Sequence, residues 1–162
     1  MSYQSIVDLL RNLAYIVNPN GHFMHGRRSD GSLDYDKPFP QIHLLPVRTQ
    51  FDIKLDNETQ DLIIMFWQQD SPESTNEQRE AIIAQMDVLS RNFVAALYDE
   101  DGVSISNVLR TPEYRQLAGT VSGYGVSFTL ISKDDCVPDP IFVTTETGDV
   151  IIDEFDNVIL IE

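Results

Sequence analysis

Apolar residues recur at spacings of three and four through the first segment, at Ile6, Leu9, Leu10, Leu13, Ala14 and Val17, which places them on one stripe of a helix over residues 3–17. Ser5, three residues before Asp8, offers a cap for its start, with Ser2 as a competitor. Asn18-Pro19-Asn20-Gly21 ends it, because proline restricts its predecessor and glycine accepts left-handed geometry. Periodicity is then lost. SDGS at 29–32 is rich in turn residues, and Pro38, Pro40 and Pro46 bracket the apolar stretch from Phe39 to Val47. A surface loop over 26–38 is predicted within an extended arm spanning about 22–49, its apolar stretch an arm or an edge strand, since proline cannot donate to a central ladder.

From Phe51 the pattern becomes strict alternation, with Phe51, Ile53 and Leu55 apolar and Asp52 and Lys54 between them, the period of a half-buried strand. Asp56-Asn57-Glu58-Thr59 turns the chain into LIIMFWQQ, a continuous apolar run expected of a strand covered on both faces, and the two should form an antiparallel hairpin. Thr75 and Gln78 form a capping-box pair ahead of Ile82, Met86, Leu89, Phe93, Ala96 and Leu97, which recur at helical spacing. A helix over 76–98 is expected, closed by Asp101-Gly102, with Gln85, Asp87, Arg91 and Asn92 off its apolar stripe. Strands follow around 103–109 and 119–131. In the second, Tyr124, Val126, Phe128 and Leu130 share one face, while Gly123 and Gly125 mark a bulge or a close backbone approach on the other. Beyond Pro138 and Pro140 a weak repeat appears, Asp149-Val150-Ile151-Ile152 returning as Asn157-Val158-Ile159-Leu160, and the tail reads as a three-strand meander too short for a core of its own. It should dock on the main domain or on a neighbouring copy. The predicted fold class is therefore α+β: an antiparallel sheet with two amphipathic helices on one face over residues 1–137, and a C-terminal β extension over 138–162.

Composition changes this picture through charge. The 26 acidic and 11 basic residues give a formal charge of −15. Residues 134–162 carry nine of the acids (Asp134, Asp135, Asp139, Glu146, Asp149, Asp153, Glu154, Asp156 and Glu162) with no Lys or Arg, so 29 residues hold −9 of the −15. Such a surface repels phosphate backbones and anionic lipids, which argues against sequence-specific nucleic-acid binding and is compatible with a wall past which DNA slides. The single Cys136 excludes an internal disulfide. Asp8 and Arg11 interrupt the apolar N-terminus where a secretory leader would have an unbroken block, and the longest apolar run, LIIMFW at 62–67, is far too short for a membrane span. A soluble chain made in a cytoplasm, with no membrane partner, is expected.

Candidate chemistry is sparse. His22, His25 and His43 do not meet a zinc ligand pattern, and Cys136 has no partner cysteine. Asp134-Asp135 and Asp153-Glu154 lack calcium-loop spacing. No GxSxG elbow, Walker loop or GxGxxG opening a helix occurs, so the glycines read as structural and Trp67 as a core or interface aromatic. No catalytic, cofactor-binding or metal residue is predicted. A small hydrolase would need a nucleophile beside a base, which no motif here pairs.

The SYQSIVDLLRNL helix, the FPQIHLLPV segment, the FDIKLDNETQDLIIMFWQQD hairpin and the NEQREAIIAQMDVLSRNFVAAL helix, over roughly residues 2–131, resemble the tail-terminator, tail-completion and neck ring proteins of tailed bacteriophages. The resemblance implies a virion protein made in the host bacterial cytoplasm, a homo-oligomeric ring, hexameric or dodecameric, and neighbouring neck, portal or tail proteins as partners. It also implies that the loop from Gly26 to Pro38 and the tail 141–162 cross between subunits. Long-tailed and short-tailed particles fit it equally well. A small acidic adaptor or assembly chaperone, binding a basic protein, is the alternative.

Overall fold

A computed structural model of the chain describes residues 3–26, 36–52, 57–116, 120–132, 142–144, 150–154 and 157–158. Two compact units divide it, Met1–Ser132 and Lys133–Glu162.

In the first unit the elements run α1 (Tyr3–Val17), β1 (His22–His25), β2 (Gln41–Leu44), β3 (Arg48–Asp52), β4 (Asn57–Gln69), α2 (Asn76–Tyr98), β5 (Val103–Arg115) and β6 (Val121–Ser132). Both helices have the predicted bounds. Ser5 nevertheless lies inside α1 and does not cap it. The cap of α2 is the expected box: Thr75 Oγ1 accepts from the Gln78 N–H at 3.2 Å, and Gln78 Oε1 accepts from the Thr75 N–H at 2.8 Å.

The sheet runs β1-β2-β4-β6-β5, and β3 pairs with the start of β4 beyond the end of β2. β3 and β4 pair antiparallel as expected, in register from Asp52↔Asn57 to Arg48↔Asp61, but the predicted turn is corrected: Asn57, Glu58 and Thr59 belong to β4 and pair with Asp52, Phe51 and Gln50. Ile53 and Leu55 lie outside the described residues. The sheet as a whole is mixed, because β1 and β2 run parallel, which corrects the all-antiparallel expectation. The connection over residues 26–40 has the dozen or more residues that a parallel return requires. The Pro-bracketed segment is corrected as well: β2 is an interior strand with all four residues buried. Pro40 and Pro46 fall just outside it, so neither ladder loses a donor.

Alternation along β4 sends Leu62, Ile64 and Phe66 to one face, where they meet Ile42 and Leu44 of β2 and Val126, Phe128 and Leu130 of β6. Both helices close over that face. Ile6, Leu10 and Leu13 of α1 and Met86, Phe93 and Leu97 of α2 join the same buried cluster. Phe66 and Phe93 meet edge to face at 5.6 Å. On the other face Met65, Trp67 and Val121 form a smaller cluster with Met24, Phe39 and Leu45 against it. Trp67 is therefore a core residue. Gly123 is required there, since a Cβ on it would fall 1.8 Å from the Phe66 carbonyl oxygen. The register shift occurs on β5, between Ser106 and Leu109, where Asn107 has φ 54°, and not at the β6 glycines. β5 also outruns its predicted end, continuing through Pro112 to Arg115 because it is an edge strand.

The second unit contains β7 (Phe142–Thr144), β8 (Val150–Glu154) and β9 (Asn157–Val158), ordered β7-β8-β9 and antiparallel throughout. This is the predicted meander.

Candidate assembly surface

The apolar side chains left in water are grouped by the sheet order. α1 packs at the β1 edge, where the Tyr3 hydroxyl lies 2.9 Å from His25 Nε2 and the Arg11 guanidinium sits over the Phe23 ring. Its outer surface exposes Tyr3, Tyr15 and Ile16. α2 packs over β6 and β5 at the opposite edge, and there Val88, Tyr98, Val108, Leu109 and Tyr114 are exposed. Ile63, on the outer face of β4, is the remaining large exposed apolar residue among those described.

Two polar clusters fix the geometry of the second edge. In the first, Asp87 of α2 holds two arginines. Arg110 of β5 reaches the Asp87 carboxylate and carbonyl and, at 2.7 Å, Ser90 Oγ, all through Nη2, while Arg91 pairs with the other Asp87 oxygen at 2.7 Å. The Arg110 guanidinium also lies over the Tyr124 ring, 5.0 Å from its centroid. Its Nε is buried with no partner among the described residues.

The second cluster ties the start of α2 to the end of β4. Asp70 accepts from the Ser71 N–H on Oδ1 and from Ser122 Oγ on Oδ2, both at 2.7 Å, and Arg79 Nε stands 3.4 Å from Oδ2. That last approach is a charge contact without hydrogen-bond geometry, because Nε has no hydrogen-bond partner. Arg79 Nη2 adds long bonds to the Ser71 and Pro72 carbonyls. Burial pushes the Asp70 pKa up, but the Ser122, Ser74 and Ser71 hydrogen bonds and the Arg79 charge outweigh it, and the carboxyl is held below the usual range.

The three histidines lie on adjacent strands, His22 and His25 on β1 and His43 on β2. Two of them serve separate contacts. His43 is buried with Nε2 3.0 Å from the Gly26 carbonyl, and His25 contacts Tyr3. Partial burial and the Arg11 charge lower the His25 pKa. Among the described residues no three of His, Cys, Asp and Glu are placed to hold a metal ion. Cys136, Asp134 and Asp135 lie outside those residues, while Asp153 and Glu154 fall in β8. No helix is long and apolar enough to cross a membrane among the described residues.

Sequence reading passed over Arg110, Asp70 and Arg79. The only local signal was the Asp87, Ser90, Arg91 spacing, which puts three polar groups on one helical turn. No protein-family model matches the chain, and no curated protein is significantly similar to it.

Proposed function

We propose that this chain is a structural subunit that assembles head to tail into a homo-oligomeric ring, hexameric or dodecameric, in the neck or tail of a tailed bacteriophage, where DNA passes through it. The observation that carries the reading is the placement of two different exposed apolar sets at opposite edges of one sheet: Tyr3, Tyr15 and Ile16 beside β1, and Val88, Tyr98, Val108, Leu109 and Tyr114 beside β5. Unlike surfaces on opposite sides of a subunit favour heterologous contacts, which close into rings when the rotation allows. The helix, arm, hairpin, helix and β-return order supports a terminator or connector position, and the net charge of −15 suits a wall that does not adsorb DNA.

The test uses two substitutions at well-exposed positions, Ile16→Asp and Leu109→Asp, with 71% and 64% of those residues exposed. Native mass spectrometry of the unmodified chain should give a closed ring. Each variant alone should be monomeric, and an equimolar mixture should give a one-to-one dimer, since one intact surface of each kind remains. Wild-type chain that stays monomeric at high concentration and in isolated particles removes the ring reading. Salt-sensitive, one-to-one capture by a basic protein would favour the adaptor.

A further inference from the structure

We propose that the groove between α2 and β5 is a docking site for an acidic, aliphatic strand segment, and that its occupant is the C-terminal segment of a second copy of this chain. The inference rests on the ring reading, which supplies the second copy.

The groove has a volume of about 420 Å³ and is lined by Arg91, Val94, Ala95, Tyr98, Asp99 and Arg110. Its floor and walls are aliphatic and aromatic, and its cations are placed in advance. Arg110 is clamped through Nη2 by the Asp87 carbonyl and carboxylate and by Ser90, and is stacked on Tyr124. Nη1 meets no acceptor among the described residues. Arg91 is tied to Asp87 by one nitrogen, and its side chain is 66% exposed. Asp87 and Asp99 balance these two charges, so the groove is locally neutral in a chain of net charge −15. A guanidinium already oriented in an apolar setting binds a carboxylate without ordering cost, and the surrounding apolar wall takes aliphatic side chains.

The segment that matches is on the same chain. Val150-Ile151-Ile152-Asp153-Glu154 and Asn157-Val158 are strands in which aliphatic residues adjoin acids, within 29 residues that hold nine acids and no cation. The meander they form has strands of three, five and two residues. A sheet that small needs an outside apolar surface to be stable. The β5 edge itself is a poor template for adding a further strand, because the bulge at Asn107 and Pro112 interrupt its ladder. Recognition therefore falls to the groove side chains, Arg91 and Arg110 for the segment's acids and Val94, Ala95 and Tyr98 for its aliphatic residues.

The experiment measures binding of a fluorescein-labelled peptide of residues 148–162 to the full chain by anisotropy, alongside native mass spectrometry of the assemblies. Ala95→Glu places bulk and negative charge on the exposed groove wall. It should weaken peptide binding at least about tenfold, a change of about 1.4 kcal/mol, and shift assemblies to smaller species. Replacing the peptide's five acids by amides should weaken binding similarly, and Ala81→Glu, about 21 Å along the helix, should leave it unchanged. Ala95→Glu rings that persist and take the peptide as wild type does, or equal binding of the amide peptide, overturn this inference and leave the ring reading intact. A wild-type chain that refuses the peptide both as a ring and after dilution to the monomer likewise overturns the inference.

Discussion

Asp70→Asn is expected to be among the most damaging polar substitutions in the first unit. The wild-type carboxylate is buried completely and faces an Arg79 side chain that is only 7% exposed. An amide of the same shape keeps the acceptor for the Ser71 N–H, but it leaves the guanidinium buried with no counter-charge and only long carbonyl bonds at 3.3 to 3.5 Å. Removing one partner of a buried pair costs about 3–5 kcal/mol. Whole domains are stable by about 5–15 kcal/mol, so the loss is a large share. With a urea slope of about 2 kcal/mol/M the midpoint should fall by about 1.5–2.5 M. Arg79→Met should cost less, about 1–3 kcal/mol, because Asp70 keeps its Ser122 and Ser71 donors. The double variant should lose less than the sum of the two. Acid supplies a second axis. The folded Asp70 pKa is below the unfolded value of about 3.9, so the contribution is fully present above about pH 3.9 and is lost as pH falls through the folded value. The gap between wild type and Asp70→Asn should therefore be flat from pH 7 to 5 and close in stronger acid. A single-variant cost under about 1 kcal/mol, or additive singles in the double, would refute the pairing argument.

Other substitutions probe the backbone. Gly123→Ala should cost about 4 kcal/mol or more by chemical denaturation, because its Cβ would strike the Phe66 carbonyl of the central strand. Gly125→Ala should cost about 1 kcal/mol, since its nearest neighbour is the flexible Met65 thioether at 3.3 Å. Thr75→Ala removes one half of the capping box and should lower stability by about 1 kcal/mol, seen calorimetrically as a fall in Tm of about 2–4 °C. Thr75→Ser, which keeps the capping hydroxyl, should retain most of the wild-type stability.

Local rules decided what is local here. Repeats of three and four, with the flanking caps and turns, placed α1 and α2, the Thr75 and Gln78 pair marked a real cap, and alternation through Phe128 and Leu130 identified the core face of β6. These follow from side-chain period and from backbone groups satisfied within a few residues. Pairing across the sheet was beyond that reach. The parallel β1 and β2, the interior place of β2 and the bulge on β5 depend on which strands meet, and the Pro pattern read alone pointed to an edge. Arg110 shows the same division. On the chain it is one cation in a strand, 23 residues from Asp87. Only packing of α2 over β5 gives it Asp87, Ser90 and Tyr124 as neighbours, and only the sheet order sets two unlike apolar surfaces on opposite edges. The sequence by itself determined the two helices, the core face of β6 and the acidic tail, because these are written in period and composition. The tertiary structure alone decided which surfaces remain open for assembly, because exposure is a property of what packs against what.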